Sequence, residues 1–192
     1  MLAQSQGLRR RNCLFVAGGN CAKVGSPERN FVASGRCGHY PIQAGPESSF
    51  VMRQLPQSIA EWNVAGADPL PGHLGMRFLK VEPQEVLASF AARQALEACN
   101  GYLHAGSVVA LADTCCGYST LRALPAGATG FTTIELKSNF FASARRGVII
   151  CTARPLQQGR TTQVWDAIVK PEGEARPIAQ FRNTQPILWP KA

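Results

Sequence analysis

The stretch LHAGSVVALADTCCGYST, residues 103–120, decides the fold. Its apolar residues leave no polar face, so it predicts a helix of about 17 residues, about 25 Å long, that must be covered on every side. Asp113 lies in the middle of this helix, and His104 and Gly106 lie at its start. A carboxylate within an apolar helix needs an explanation, because an unpaired buried charge is costly.

Short runs of β-type residues flank the helix and are joined by turns rich in Gly and Pro. A short helix at 57–65 and a loop at 66–75 come first. Strands are predicted at 74–82 (with one irregularity), 86–93, 131–142, 147–157, 161–170 and 176–188, the last four as a meander. Short turns predict antiparallel pairing. The predicted fold class is therefore α+β, a curved antiparallel sheet of five to six strands wrapped around one long central helix. One face of the sheet or a flank of the helix would still be exposed, so a homodimer is expected.

Residues 1–51 differ from the rest of the chain. They contain seven of the 18 glycines and show no sustained hydrophobic period. Six basic and two acidic residues give this segment +4, half of the net charge of +8. We predict a poorly ordered extension; a targeting peptide or a non-native segment before Met52 is the alternative. The structured domain is predicted at 52–192.

Composition excludes several classes of protein. No run of about 18 apolar residues occurs, so no membrane span is predicted. The cysteine count is odd and no C-x-x-C pair is present, which favours a cytoplasmic protein with Cys99, Cys115, Cys116 and Cys151 as buried reduced thiols. No ligand spacing indicates a metal site. The basic charge favours a polyanionic partner, but no aromatic interleaving indicates nucleic acid.

The motif G-Y-L-H-A-G-x₄-L-A-D at 101–113 resembles the H-G-G-x₄-L-x-D signature of PaaI-like thioesterases, the phenylacetate-pathway and 4-hydroxybenzoyl-CoA group. The runs TTIELKSNFFASARRG and QGRTTQVWDAIV are similar to later strands of that family, so the resemblance covers about 74–188. It implies the hotdog fold and an acyl-CoA thioesterase for aryl- or medium-chain acyl groups. It also implies a homodimer with the active site at its interface, a dimer of dimers (homotetramer), and no cofactor beyond the CoA of the substrate.

The resemblance also implies roles for particular residues. Asp113 is the nucleophile or general base, and the oxyanion hole lies at the helix start. The implied catalytic residues are Asp113, His104, Ala105, Gly106, Asn100 and Thr133. Two of them depart from the family pattern, because Ala105 replaces the first glycine and Asn100 stands four residues before His104 instead of six. Candidate ligands for the CoA phosphates are Lys137, Arg145, Arg146 and Arg160, since guanidinium binds phosphate bidentately.

The chemistry explains why these residue types stand at this spacing. Backbone N–H groups at a helix N-terminus stabilise the negative charge that develops on a thioester oxygen. Asp113 lies about two and a half turns further along, so it cannot reach the start of its own helix. Burial should raise its pKa, and hydroxyl or amide donors should keep it ionised. Structural readings stay open for Asp113 (a buried carboxylate bonded to backbone), His104 (a cap) and Asn100 (a turn), as do an enoyl-thioester hydratase and a non-catalytic acyl-CoA or lipid-binding module.

Overall fold

The structure, a computed structural model of the chain, describes residues 55–190, so the predictions for residues 1–51 lie outside the described residues. The strands are Arg77–Glu82 (β1), Glu85–Ala91 (β2), Gly130–Phe131 (β3), Glu135–Phe140 (β4), Val148–Gln158 (β5), Thr162–Pro171 (β6) and Ala179–Leu188 (β7). They form one sheet in the order β1-β2-β5-β6-β7-β3, with β4 also paired to β7. Every pairing is antiparallel.

The helices are Ile59–Ala65 (α1), Leu70–His73 (α2) and Ala105–Arg122 (α3). α3 has 18 residues and packs against β1, β2, β3, β5, β6 and β7. Two of the strands that cover it, β6 and β7, alternate strictly: in β6 Trp165, Ala167 and Val169 are buried while their neighbours are half exposed. The predicted α+β fold, an antiparallel sheet around one long helix, is confirmed.

The predicted meander of the last four strands is wrong at one connection. β4 pairs with β7 at one edge of the sheet, whereas β5 pairs with β2. The link at 141–147 therefore carries the chain from the edge to the middle of the sheet, past β6 and β7. A short link with a glycine suits a hairpin and such a crossing equally well, so local sequence did not distinguish them. Only β5, β6 and β7 form a meander.

The first part of the described chain follows the prediction with two corrections. α1 confirms the short helix. The segment 66–75, predicted as a loop, contains α2, because Pro71 lies in its first turn, where a proline costs no helical hydrogen bond. In β1 the expected irregularity is a bulge between Phe78 and Lys80. The bulge leaves Leu79 51% exposed.

α3 is covered on only part of its circumference. Its buried residues are Val108, Leu111, Ala112, Cys115, Cys116, Gly117, Ser119 and Thr120. On another side Gly106 is exposed, and Val109, Ala110 and Asp113 are half-buried; helical spacing places these four in one row, here called the open strip. A single chain therefore does not cover the helix on every side, and of the two surfaces predicted to stay exposed, a face of the sheet or a flank of the helix, the open strip is the helix flank.

Of the four cysteines predicted to be buried, three are. Cys115, Cys116 and Cys151 are buried free thiols, and Cys99 is an exposed free thiol, because it lies in the turn before α3 and not in the helix. Within residues 55–190, no helix is long and apolar enough to cross a membrane.

Candidate active site

Asp113 is half-buried at the middle of α3 and is held by two side chains from the sheet side. Asn183 Nδ2 donates to Asp113 Oδ1 at 2.9 Å, and Thr133 Oγ1 donates to the same oxygen at 3.4 Å. Burial raises the pKa of Asp113, and the hydrogen bonds from Thr133 and Asn183 oppose that rise. The predicted direction of the pKa shift and the predicted hydroxyl and amide donors are confirmed. Within residues 55–190, Oδ2 has no hydrogen-bond donor.

The segment that joins β3 to β4 runs along α3. Thr133 lies beside Asp113, and the ring of Phe131 lies over Gly117, where an added Cβ would be 3.1 Å from Phe131 Cζ. Two residues of extended chain span about 6.6 Å and four residues of helix about 6 Å, so the two contacts are in register. Regular strand structure lapses at 132–134, although the Thr132 and Ile134 N–H groups still donate to carbonyls of β7 and the register shifts by one residue across this stretch. The run 131–142, predicted as one strand, is thus two strands, β3 and β4, joined by an irregularity at the residue that contacts Asp113.

His104 caps the start of α3. It is the N-cap residue, and its Nδ1 accepts a hydrogen bond from the Gly106 N–H at 2.8 Å. A neutral imidazole that accepts at Nδ1 carries its hydrogen on Nε2. A Cβ on Gly106 would come within 2.9 Å of His104 Nδ1, so a glycine is required for this arrangement. The structure therefore shows the capping role of His104, and it shows that the Gly106 N–H is already used.

Ala105 supplies the free N–H at the helix start. It is exposed, and its N–H has no acceptor within residues 55–190. A mostly apolar cavity of about 160 Å³ opens beside it, lined by Leu103, Ala105, Val108, Phe140, Ala142, Ser143, Ala144 and Ile178. The site thus offers one unpaired donor next to space for an apolar group.

A second, basic cavity adjoins the first. It has a volume of about 330 Å³, and residues 142–144 and Ile178 line both. Arg145, Arg146 and Arg176 line its other side, with Glu174 as the one acidic lining residue. Three guanidinium groups against one carboxylate make this cavity suited to an anion.

The other two predicted cations lie elsewhere in the chain. Arg160 follows β5, whereas Arg145 and Arg146 precede it, and the 11 residues of β5 separate the two ends by roughly 33 Å. The Arg160 guanidinium lies 4.6 Å from the centre of the Trp189 ring. Lys137 lines a separate cavity on β4 and β7. One chain therefore brings Arg145 and Arg146 together but not Lys137 or Arg160.

Asn100 forms a turn. Its Oδ1 accepts from the Tyr102 N–H at 3.2 Å, and Gly101 has a φ of 75°, a left-handed conformation that favours glycine. The residue is exposed in the turn before α3 and so lies on the helix-start side, away from Asp113 of the same chain.

Sequence reasoning missed two residues of this region. Asn183 contacts Asp113, and Arg176 completes the basic cavity. A signal for Asn183 was present, because the alternation of β7 places it on the same face as Phe181 and Ile187. A polar residue at a buried strand position needs a hydrogen-bond partner. Arg176 follows an ordinary turn and carried no signal.

Known proteins share this fold and part of this sequence. Residues 100–178 match the family model of the thioesterase superfamily. The 1,4-dihydroxy-2-naphthoyl-CoA hydrolase of Listeria monocytogenes is 26% identical over 101 residues, which are 53% of this chain and 81% of the relative. The putative esterase ComA2 of Bacillus subtilis is 31% identical over 88 residues, which are 46% of this chain and 69% of the relative.

The crystal structure of a mutant thioesterase from Pseudomonas aeruginosa has a TM-score of 0.65 and 25% identity, covering 71% of this chain and 96% of that one. Sequence and fold thus agree on the same group of proteins. This chain belongs to the thioesterase superfamily, as a thioester hydrolase with the hotdog fold.

Proposed function

We propose that this thioester hydrolase cleaves aryl- or medium-chain acyl-CoA with water to give the free acid and CoA. The observation that carries the proposal is the half-buried Asp113 carboxylate on the open strip of α3, held by Asn183 and Thr133. A relative that hydrolyses an aromatic acyl-CoA, 1,4-dihydroxy-2-naphthoyl-CoA, supports CoA as the leaving group.

Asp113 acts as the nucleophile on the carbonyl carbon or as the general base for the attacking water. Either role needs the ionised carboxylate, which the two hydrogen bonds favour against the effect of burial. Attack gives a tetrahedral oxyanion. Its collapse breaks the C–S bond. On the general-base route the free acid forms directly, and Asp113 passes the proton taken from water to the departing thiolate. On the nucleophilic route the thiolate takes a proton from solvent, and water then hydrolyses the acyl anhydride left on Asp113 to the free acid and the carboxylate. The proposed reaction uses no metal ion and no further cofactor.

The oxyanion is held at the start of α3. The Ala105 N–H has no acceptor within the described part of the chain, and the helix dipole adds positive potential there. Gly106 contributes by leaving room for the His104 imidazole, which fixes the first turn. Loss of one such donor typically costs roughly 2.7–4 kcal/mol of transition-state stabilisation.

Two copies of the chain are needed to complete the site. Ala105 and Asp113 are eight residues apart, about 12 Å along one helix, too far to act on one carbonyl group. In the proposed homodimer Asp113 of one protomer faces the start of α3 in its partner, and the open strip becomes the contact. A carboxylate on an otherwise apolar helix then lies at an interface between chains. We propose that such dimers pair further into a tetramer.

The CoA moiety fits the pair of adjoining cavities. Its phosphates would bind in the basic cavity of Arg145, Arg146 and Arg176, and its less polar arm would pass through the apolar cavity toward Ala105. Arg145 also lies over the Tyr102 ring, 4.0 Å from its centre, which orients the guanidinium. Lys137 and Arg160 would contribute only from another protomer.

The decisive experiment measures release of free thiol from a panel of acyl-CoAs by the wild type and by Asp113→Ala. We expect hydrolysis of one acyl class and a loss of about a hundredfold or more in the variant, with an unchanged circular dichroism spectrum. If the wild type binds acyl-CoA but releases no thiol, the chain is a binding module. Release of enoyl-hydration products without thiol would indicate a hydratase.

A second experiment tests the leaving group. Arg176→Ala should raise KM for acyl-CoA but not for the acyl-pantetheine thioester, which lacks the nucleotide phosphates. Arg154→Ala is the control, since Arg154 is an exposed arginine paired with Glu85 on the outer face of the sheet. Equal KM values for the two thioesters in the wild type would argue against phosphate recognition.

A further inference from the structure

We propose that Asn183 is a positioning residue whose buried amide fixes the orientation of the Asp113 carboxylate for the reaction. This inference rests on the proposed role of Asp113 and adds a residue from outside the helix motif. Asn183 is 70 residues away in the chain and contacts Asp113 from strand β7 of the sheet.

The contact joins a fully buried side chain to a more accessible one. Asn183 is 0% exposed on the inner side of β7, whereas Asp113 is half-buried on the open strip. An ionised carboxylate only accepts hydrogen bonds, so the NH₂ group of Asn183 must face Asp113 Oδ1. That bond holds one oxygen at 2.9 Å and leaves Oδ2 without a hydrogen-bond donor from residues 55–190.

The rest of the Asn183 amide is poorly satisfied. Its Oδ1 is buried and has no partner within the described residues, and the same holds for Trp165 Nε1, on the strand position paired with Asn183. A buried unpaired polar group destabilises a fold, whereas a leucine of similar size would not. A role in packing alone therefore does not account for an amide here, and the bond to Asp113 does.

The same strand contains a second buried amide that does not touch Asp113. Gln185 lies two residues further along β7, is also 0% exposed, and pairs with the Thr120 hydroxyl. Its Nε2 likewise has no partner within residues 55–190. Asn183 and Gln185 are thus a matched pair that differs in contact with the carboxylate.

Within residues 55–190 no cation compensates Asp113. Among these residues, the hydrogen bonds from Thr133 and Asn183 are the only influences that lower its pKa. The fully buried titratable groups beside α3 are thiols, Cys115 and Cys116 on the helix and Cys151 on β5, and of these Cys116 interacts with the charge of Asp113. The buried residues of β1, β2 and β3 include no titratable group. The charged groups of β4, β6 and β7 lie on the outer face: Glu135, Lys137, Asp166, Lys170 and Arg182. Among them Asp166 pairs with Arg182, and Glu135 accepts from Thr184.

The test compares Asn183→Leu with Gln185→Leu on an acyl-CoA that the wild type hydrolyses. We expect Asn183→Leu to lower kcat at neutral pH by at least about tenfold with KM within about twofold. The acid limb of its kcat/KM profile should move to higher pH, because the ionised carboxylate loses a donor. Gln185→Leu should keep the wild-type profile. Equal losses in the two variants, or an unmoved limb in Asn183→Leu, would make Asn183 a structural residue.

A measurement on the wild type covers the case in which Asn183→Leu does not fold. The side-chain amide resonances of Asn183 should titrate together with the carboxyl carbon of Asp113, and those of Gln185 should not. Asn183 resonances that stay constant while Asp113 titrates would overturn the inference. This readout requires no turnover, so it separates failure of the inference from a wild type that releases no thiol, which would overturn the proposed function.

Discussion

The two sides of α3 are built from similar residues but meet different surroundings. Leu111, Ala112, Cys115 and Cys116 are all 0% exposed against the sheet. In the open strip, three of the four residues are also small or apolar, and Asp113 is the one charged member. Hydrophobicity alone therefore does not separate the side that forms the core from the side proposed to meet a partner. The comparison teaches that a single carboxylate distinguishes the open strip from the side of the helix that forms the core.

Asp113 is the residue at which the two sides of α3 should differ most in their effect on activity. Asp113→Asn keeps the size of the side chain and an oxygen for Asn183 to donate to, but it removes the charge that attacks or deprotonates. We expect kcat/KM for the thioester to fall by at least about a hundredfold, while the circular dichroism spectrum is unchanged. A variant that keeps its activity would show that Asp113 has a structural role and that the open strip contains no catalytic residue.

On the opposite side of the helix a substitution should affect stability in place of catalysis. Leu111→Ala opens a cavity in the core, and we expect the free energy of unfolding to fall by about 3–5 kcal/mol in urea denaturation. The control is Val109→Ala on the open strip, where the lost apolar area should lower the free energy of unfolding by about 1 kcal/mol. In sedimentation experiments Val109→Ala should weaken self-association and Leu111→Ala should not. The reverse pattern would mean that the two sides have been assigned wrongly.

Local patterns predicted most of the elements. The apolar run of α3 and the alternation of β2, β6 and β7 depend on neighbouring residues only, so their positions follow from the sequence. The order of strands does not, because β4 can pair with β5 or with β7 and both choices bury the same residues. That some apolar surface stays exposed in one chain was predicted, but not whether it lies on the sheet or on the helix, since an apolar side chain does not say whether its own sheet or another chain will cover it.

The candidate site divides in the same way. Asp113, His104 and Gly106 lie on one helix, so their relation follows from spacing. The contact of Asn183 with Asp113 joins residues 70 apart in the chain and depends on the strand order. Arg160 was grouped with Arg145 and Arg146 by closeness in sequence, but an extended strand of 11 residues lies between them.

The start of α3 offers a smaller effect on stability. His104→Ala removes the acceptor for the Gly106 N–H, and loss of a helix cap costs about 1 kcal/mol of unfolding free energy. His104→Asn should retain the cap, because an asparagine oxygen accepts the same bond. Equal midpoints of thermal unfolding for the wild type and His104→Ala would show that the cap contributes nothing measurable.

The pH dependence of stability follows from the raised pKa of Asp113. Between the unfolded value, about 3.9, and the higher folded value, the folded state binds more protons than the unfolded state. The contribution of Asp113 to the free energy of unfolding therefore falls as the pH rises through that window and is constant above it. Asp113→Asn lacks this loss, so it should gain in unfolding free energy relative to the wild type as the pH is raised from about 4. A difference that shrinks with rising pH would mean that the hydrogen bonds outweigh burial.

The smallest expected effect is at Thr133, the second donor to Asp113. Its bond is long, 3.4 Å, and the residue is exposed, so water can replace the hydroxyl at little cost. Thr133→Val keeps the shape of the side chain, and we expect kcat/KM to fall by less than about threefold. Asn183 has the shorter bond and no access to water, so its removal should cost more. If Thr133→Val instead lost as much activity as Asp113→Asn, the hydroxyl would have to contact the reacting water itself. Thr133, and not Asn183, would then be the donor that matters more for catalysis.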